Sequence, residues 1–380
     1  MGTCSLCGDT GITISNSINV CVSCLRRDPD RALEIAKHVH HSYRIRLGLP
    51  PEPPRDSGLK CSLCVNECLI PVGGKGFCGV WTNKNGRLEP IEGHGKGIVY
   101  WYYDSLPTNC VADPVCPART CAGYPVYAAR PGTEYGYYNL AVFFAGCSLD
   151  CVFCQNWDHK EMIASKSYRL SMTRSVDELV DAALDPKVTC VCYFGGDPAP
   201  HMPYALAASR KMLLEARRRN AIKRICWETN GLENPKVLRE ATKLSLASGG
   251  IVKFDWKAWT PSVYEALTGV NGYKAVRRLK ENTKLVASMW DERPEIPLLV
   301  VSTLLVPGYV DEEEVRSIAE YLASINPEIP YVLLAFHPDH RLRDLPPTST
   351  RHAYNAKREA LRAGLKRVFI GNIWLLGDYY

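Results

Sequence analysis

The chain has 380 residues, a formal net charge of +6 and seventeen cysteines. A chain of this length can bury a large core and can form one long α/β barrel-like domain plus a smaller module. The mild positive charge does not demand a nucleic-acid partner. No stretch of about eighteen apolar residues occurs, which argues against a membrane-spanning helix, and the first residues, MGTCSLCGDTG, lack the apolar segment of a signal peptide. We therefore expect a cytoplasmic protein, in which so many cysteines indicate bound metal rather than disulfides.

The first cysteines of the chain form two C-x2-C pairs. They are Cys4, Cys7, Cys21 and Cys24. This spacing is typical of a four-thiolate site such as a zinc ribbon, although rubredoxin-like iron uses the same ligands. Asp28 and Pro29 predict the start of a helix that runs to about Tyr43. We expect a zinc-ribbon-like module with structural zinc and this helix over residues 1–48, followed by a proline-rich linker over residues 49–58.

Two further cysteine groups lie in the irregular, tyrosine-rich region 59–137. The first group fits either zinc or an auxiliary iron–sulfur cluster, and the cluster is slightly favoured as an electron relay; its members are Cys61, Cys64, Cys68 and Cys78. The second group is either a further auxiliary cluster completed from elsewhere in the chain or a set of plain reduced thiols; its members are Cys110, Cys116 and Cys121.

From residue 138 to about 340 the sequence alternates predicted strands with predicted helices. The strand candidates are 139–145, 188–194, 222–227, 251–256, 298–305 and 331–336. The helices between them are predicted near 175–184, 203–218, 234–246, 273–288 and 311–324, the first opened by a capping box of Ser175 and Glu178. Six strands separated by helices predict an α/β fold, a parallel sheet closed or half-closed as a partial (β/α)6 TIM-like barrel. We expect residues 341–380 to pack on this barrel as a C-terminal extension, and Cys190, Cys192 and Cys226 to be buried core residues of its strands.

The stretch FFAGCSLDCVFCQNWDHK at residues 143–160 follows the first of these strands, where catalytic groups of such folds lie. Cys147, Cys151 and Cys154 can converge on one side of the turn. A structural zinc or an ordinary [4Fe–4S] cluster takes four protein ligands, whereas three leave one iron open to another ligand. A redox dithiol needs two cysteines, and a packed core does not place them in a polar loop.

The pattern C-x3-C-x-Φ-C, with Phe153 before the last cysteine, resembles the cluster motif of the radical SAM superfamily. Further motifs follow in order at strand ends: GGDP at 195–198, ETNG at 228–231, DWK at 255–257, YEALTG at 264–269, VPG at 306–308 and a histidine at 337. Within the superfamily the chain is similar to pyruvate formate-lyase activating enzyme and to the AmmeMemoRadiSam-system proteins, over residues of about 60–372. Aspartate stands in GGDP where the family has glutamate.

This resemblance implies a set of cofactors and a role for each motif. The three cysteines would hold a [4Fe–4S] cluster whose open iron binds S-adenosylmethionine, and a ferredoxin- or flavodoxin-type protein would supply the electron. The residues implied in cofactor binding are Phe153, Gly195, Gly196, Asp197, Glu228, Asn230, Asp255, Lys257 and His337. The glycine-rich motif would carry the amino group of S-adenosylmethionine on its backbone, and His337 would lie near the ribose. Asp255 and Lys257 match the position of carboxylate-binding and, in some members, monovalent-cation contacts, and Lys257 is also a catalytic candidate.

The resemblance predicts an enzyme that makes a 5′-deoxyadenosyl radical and abstracts hydrogen from a substrate. Activation of a protein by formation of a glycyl radical is the first hypothesis. The second is radical modification of a small molecule or of a peptide or RNA residue. A different class remains open, in which a zinc-ribbon protein recognises nucleic acid or a partner and keeps the barrel as a platform. Neither nucleic acid nor a membrane is the expected partner.

Overall fold

The computed structural model describes residues 1–380. Its N-terminal part contains two short strands and two helices. Its elements are β1 (Gly2–Thr3), β2 (Thr10–Gly11), α1 (Val22–Arg27) and α2 (Pro29–Arg46). Pro29 occupies the first turn of α2, as predicted, and the helix continues three residues past the expected end at Tyr43. The linker 49–58 contains neither helix nor strand.

The region expected to be irregular contains one long strand and several short elements. These are β3 (Leu59–Lys60), β4 (Leu69–Ile70), β5 (Trp81–Lys84), β6 (Arg87–Pro90), β7 (Lys96–Ser105) and α3 (Pro117–Thr120). Strand β7 has the sequence KGIVYWYYDS and pairs antiparallel with the strand that begins at Tyr138. Its β-branched and aromatic side chains favour a pleated surface, so the expectation of irregular structure was wrong at this strand.

The remaining elements alternate strands and helices as predicted. They are β8 (Tyr138–Phe144), α4 (Asp158–Ala164), α5 (Lys166–Ser171), β9 (Thr173–Ser175), α6 (Val176–Ala183), β10 (Val188–Phe194), α7 (Met202–Arg218), β11 (Arg224–Thr229), α8 (Pro235–Ser248), β12 (Val252–Asp255), α9 (Pro261–Thr268), α10 (Gly272–Ala287), β13 (Leu299–Leu305), α11 (Glu312–Ile325), β14 (Tyr331–Ala335), α12 (Thr350–Arg362) and β15 (Val368–Gly371). All six predicted strands are present. The C-terminal extension supplies a further strand, β15, beside β14.

Nine strands form one sheet in the order β15-β14-β13-β12-β11-β10-β8-β7-β9. The seven strands from β15 to β8 are parallel, and β7 and β9 add an antiparallel edge. Parallel strands joined by helices bring their C-terminal ends to one edge of the sheet. The motifs that end β8, β10, β11 and β12 are therefore neighbours in space.

The two faces of the sheet have different coverings. Tyr193 and Trp227 hydrogen-bond carbonyls of α7 and α8, which places them on the face covered by helices. Side chains alternate along a strand, so Cys192, Cys226 and Lys253 lie on the opposite face, which we call the inner face. Residues 106–137, which we call the covering segment, pack on part of the inner face.

The N-terminal module is attached to the rest of the chain through charged and polar contacts. Arg26 at the end of α1 pairs with Asp311 at 2.8 Å and with Glu314 at 2.9 Å, at the start of α11. The Tyr309 hydroxyl donates to the Val20 carbonyl at 2.9 Å. None of the helices has the length and apolar composition needed to span a lipid bilayer.

Candidate active site

A cavity at the C-terminal ends of the parallel strands collects most of the residues implied by the motifs. Those that line it are Cys147, Cys151, Phe153, Cys154, Gly195, Gly196, Asp197, Glu228, Asn230, Asp255 and Lys257. His337 does not line this cavity. It is half-exposed and contacts Asp339 at 2.8 Å, so the structure places it apart from the other motif residues. Gln155, Asn156 and His159, to which no role was assigned, also line the cavity.

The three cysteines of the loop after β8 present thiols to this cavity, and no fourth cysteine lines it. Cys147 and Cys151 are buried. Burial raises the pKa of all three thiols, that of Cys151 to about 12, while the charges of Lys257 and Lys160 lower the pKa of Cys151 and Cys154. Buried thiols beside two ammonium groups fit a cluster with three cysteine ligands, because the thiolate is the form that binds metal.

Amide groups lie close to the sulfur of Cys147. The Leu149 backbone N–H donates to Cys147 Sγ at 3.3 Å, and Asn230 Nδ2 lies 3.8 Å from the same sulfur. Asn230 Nδ2 also donates to Ser148 Oγ at 2.9 Å. Asn230 therefore links the end of β11 directly to the cysteine loop. Hydrogen bonds of this kind would adjust the reduction potential of a cluster held there.

A buried carboxylate inside the cysteine loop is surrounded by a lysine, an arginine and a histidine. Asp150 Oδ1 lies 2.7 Å from Lys160 Nζ and 3.3 Å from Arg44 Nη1, and Asp150 Oδ2 lies 3.0 Å from His40 Nδ1. Burial alone would raise the pKa of Asp150, yet Lys160, His40 and Arg44 together bring it well below its usual range. His40 and Arg44 lie one turn apart on α2. The N-terminal helix therefore fixes the conformation of the loop that carries the three cysteines.

The aspartate of the GGDP motif connects three loops through its carboxylate. Its carboxylate accepts hydrogen bonds from Thr229 Oγ1 at 2.9 Å, the Asn230 N–H at 3.2 Å and Ser148 Oγ at 3.3 Å. Burial raises the pKa of Asp197 to about 6. Gly196 precedes it with φ +43°, and a Cβ at that position would collide with backbone oxygens of the neighbouring strand end. The motif thus holds its backbone close against the cysteine loop.

A second buried carboxyl group, Glu233, is hydrogen-bonded to the oxygen of the Thr229 hydroxyl that donates to Asp197. Burial and the charge of Asp197 raise the pKa of Glu233 to about 8. Two carboxylates around one hydroxyl cannot both ionise easily. Glu233 therefore keeps its proton at neutral pH, so this buried pair of carboxyl groups carries at most one negative charge.

Charged groups at the ends of β11 and β12 face the cavity. Lys257 pairs with Asp255 and lies 5.5 Å from the centroid of the Phe153 ring. Burial would lower the pKa of Lys257, but Asp255 and Cys151 raise it above its ordinary value. Glu228 pairs with Lys253 at 3.0 Å. The cavity therefore offers carboxylates and an ammonium beside the thiols, which suits a zwitterionic ligand.

The family model of the Radical SAM superfamily matches residues 141–322, the part of the chain that carries these motifs. Residues 141–322 form a radical SAM domain. The chain is an enzyme with this domain, and it is related to radical SAM activating enzymes.

Curated relatives and a solved structure resemble this radical SAM protein to different extents. An uncharacterized protein of Methanocaldococcus jannaschii is 24% identical over 323 residues, which are 84% of this chain and 82% of the relative. The isethionate sulfite-lyase activating enzyme of Desulfovibrio desulfuricans is 32% identical over 145 residues, which are 38% of this chain and 40% of that enzyme. A crystal structure of a domain of pyruvate-formate lyase-activating enzyme from Bacteroides vulgatus has 19% identity and a TM-score of 0.37, over 48% of this chain and 98% of that chain.

The four N-terminal thiols of this radical SAM protein form a tight group apart from the cavity. All four sulfurs lie within 4.8 Å of one another. Cys4 Sγ lies 3.7 Å from Cys24 Sγ, and Cys7 Sγ lies 3.8 Å from Cys21 Sγ. Zinc–sulfur bonds of about 2.3 Å in a tetrahedron separate the sulfurs by about 3.8 Å. The group therefore fits one tetrahedral ion.

The other predicted cysteine groups are arranged differently. The group Cys61, Cys64, Cys68 and Cys78 adjoins the cysteine loop, because Asn66 donates to the Ser148 carbonyl at 2.6 Å. Its sulfurs are not all within the 4.8 Å that the N-terminal group shows. Cys110 and Cys116 pack on the inner face of the sheet, whereas Cys121 does not join that cluster.

The sequence alone did not identify Asp150 and its contacts with Lys160, His40 and Arg44. The spacing of His40 and Arg44 on one helix face was a usable signal.

Proposed function

We propose that this radical SAM enzyme holds a [4Fe–4S] cluster on Cys147, Cys151 and Cys154 and binds S-adenosylmethionine in the adjoining cavity. The observation that supports this most is the convergence of three thiols, two of them buried, with polar groups from the ends of β10, β11 and β12 on one cavity. We also infer that the open sheet curves as a partial (β/α)6 barrel around this cavity.

When bound, these cofactors supply a 5′-deoxyadenosyl radical by one-electron cleavage of the S–C5′ bond. The chain contributes binding and orientation. Lys257 and Lys160 offset the negative charge of the thiolates, and the backbone at Gly195 and Gly196 approaches the cysteine loop closely enough to align an amino group beside it. Leu149, Leu304 and Leu334 form apolar walls of the cavity, and such walls keep water away from a reactive radical.

We propose that the hydrogen comes from a backbone glycine of a partner protein, which makes the enzyme an activase. The similarity to the activating enzyme of Desulfovibrio desulfuricans supports this substrate class. A ferredoxin- or flavodoxin-type protein would provide the electron. The four-thiolate module would carry zinc, and Cys61, Cys64, Cys68 and Cys78 would form an auxiliary metal site.

The cleavage reaction is tested by product analysis. Protein purified anaerobically and reconstituted with iron and sulfide is mixed with dithionite and S-adenosylmethionine, and 5′-deoxyadenosine is quantified. We expect formation by the parent and by Cys121→Ala, whose thiol does not face the cavity, and a fall to background in the triple variant Cys147→Ala/Cys151→Ala/Cys154→Ala. Equal product from the triple variant, or no product from a sample with its full iron content, would contradict the proposal.

The substrate class has its own test. A candidate glycyl radical enzyme from the same genome is labelled with α-deuterated glycine and incubated with the reconstituted activase. Deuterium in 5′-deoxyadenosine together with a glycyl radical signal in electron paramagnetic resonance is the expected result. Product that stays unlabelled, with no such signal, would instead favour the small-molecule, peptide or RNA substrate.

A further inference from the structure

Five cysteines that have no part in the cavity lie together on the inner face of the sheet. Three of them, Cys190, Cys192 and Cys226, form a buried cluster of their own, separate from the main hydrophobic core, with 5% to 6% of their surface exposed. The other two, Cys110 and Cys116, come from the covering segment. Sequence reasoning treated the strand cysteines as plain core residues and grouped Cys110 and Cys116 with Cys121.

The register of the strands points the three strand thiols at one another. Cys190 and Cys192 are two residues apart on β10 and therefore share a face. Cys192 is paired directly with Cys226 on the neighbouring strand β11. Cys190 Sγ lies 3.7 Å from Cys226 Sγ. Three thiols are thus presented from a rigid part of the fold, where ordinary core packing would place branched apolar side chains.

A buried ion pair fixes the covering segment against these strands. Glu134 accepts from both terminal nitrogens of Arg224, at 2.8 and 2.6 Å, and from the Thr189 hydroxyl at 2.6 Å. Neither Glu134 nor Arg224 has exposed side-chain surface. A bidentate pair of this kind specifies geometry as well as adding stability. The segment that carries Cys110 and Cys116 is therefore held on the sheet at the level of the strand thiols.

One buried ammonium group contacts the sulfurs from both sources. Lys253 Nζ lies 2.9 Å from Cys192 Sγ and 3.2 Å from Cys110 Sγ. A neutral thiol is a weak acceptor, whereas a thiolate is a strong one and is the form that binds metal. Glu228, the remaining partner of Lys253, is one-third exposed. If Cys192 and Cys110 bound a metal as thiolates, their negative charge would neutralise the buried Lys253 ammonium.

We propose that Cys110, Cys116, Cys190, Cys192 and Cys226 form the ligand set of an iron–sulfur cluster on the inner face, separate from the cluster of the cysteine loop. Such a cluster takes four thiolates, which these five provide. In an iron–sulfur cluster the thiolates are distributed over several iron atoms. Their sulfurs therefore lie further apart than four sulfurs around a single ion. The five sulfurs do spread further than the N-terminal four, which alone lie within 4.8 Å of one another. Lys253 offsets the charge of the thiolates.

The site is tested in protein that cannot perform the radical reaction, so the outcome does not depend on the proposed function. The parent for this test is the variant Cys147→Ala/Cys151→Ala/Cys154→Ala, reconstituted anaerobically with iron and sulfide. Iron, sulfide and zinc per chain are measured, with low-temperature electron paramagnetic resonance after reduction. Adding Cys190→Ala/Cys226→Ala should remove the iron and sulfide of one cluster and its signal, while adding Cys121→Ala should change neither.

A second pair of substitutions guards against loss of folding in the strands. Cys110→Ala/Cys116→Ala changes only the covering segment and should remove the same iron and sulfide, with the circular dichroism spectrum unchanged. Unchanged iron and sulfide in this folded variant would overturn the proposal. So would a loss of zinc without a loss of iron, because that result would assign a single ion to the site.

Discussion

Replacing Asp150 by asparagine should destabilise the protein far more than the same change at the surface. Asp150 is one residue before Cys151, and its two oxygens contact Lys160, His40 and Arg44 within 3.3 Å, all with side chains 2% to 3% exposed. Asparagine keeps one acceptor but turns an amide N–H₂ group toward a cation and leaves buried positive charge unpaired. Breaking a buried ion pair from one side costs about 3–5 kcal/mol.

The matched control is Asp177→Asn. Asp177 pairs with Lys211 at 2.6 Å, a distance similar to that between Asp150 and Lys160, but its side chain is 71% exposed. Exposed pairs contribute about 0–1 kcal/mol, so burial is the main difference between the two substitutions.

The assay is urea unfolding under anaerobic conditions, followed by circular dichroism, with the iron content of each sample measured. Asp150→Asn should lower the free energy of unfolding by about 3–5 kcal/mol and reduce iron bound by the three cysteines, because the loop loses its anchor on α2. Asp177→Asn should change the free energy of unfolding by at most about 1 kcal/mol. If the two variants unfold at the same urea concentration, α2 does not anchor the cysteine loop.

Three other predictions concern separate parts of the chain. Cys24→Ser should remove about one zinc per chain, because a tetrahedral site loses a ligand, and should leave the iron of the cysteine loop in place. Lys257→Met should raise the KM for S-adenosylmethionine roughly tenfold or more, since a hydrogen bond to a charged group contributes about 1.5–3 kcal/mol. His201 is buried and its pKa is lowered to about 4 from 6.5, so the unfolded chain takes up a proton first as pH falls. The stability that the neutral His201 ring contributes is complete above pH 6.5 and falls by about 3 kcal/mol as the pH falls toward about 4. His201→Gln should remove this part of the acid sensitivity in urea unfolding.

Each of these three predictions has a control variant that distinguishes the specific effect of the substitution from a general loss of folding. Cys121→Ser should keep its zinc, and zinc loss from it would mean that metal content reports folding rather than ligation. Lys257→Arg keeps the charge and should hold the KM within a few-fold of the parent; equal KM values for the methionine and arginine variants would refute the role of the charge. His337→Gln changes an exposed histidine, and if it flattens the acid limb of stability as much as His201→Gln does, the assignment to the buried ring is wrong.

Local sequence signals were sufficient for the elements and motifs that depend on near neighbours. The capping box of Ser175 and Glu178 is present with both reciprocal hydrogen bonds. The six apolar runs became strands, and polar residues after the first four of them came to one cavity because parallel strands end at one edge. Aromatic β7 was missed because its partner begins more than thirty residues later, and pairing with that strand decides its conformation.

By itself, then, the sequence determined the α/β class, the order of the strands and helices, and the three-thiol loop that a radical SAM cluster requires, since each of these is written in contiguous residues with fixed periodicity. The tertiary structure decided which distant groups meet. It brought Asp150 into contact with His40 and Arg44, which precede it by 110 and 106 residues in the sequence. It also brought Cys110 into contact with Lys253, beside the strand thiols. Such contacts depend on how helices and the covering segment pack on the sheet, and packing energy is shared among residues that are far apart in sequence.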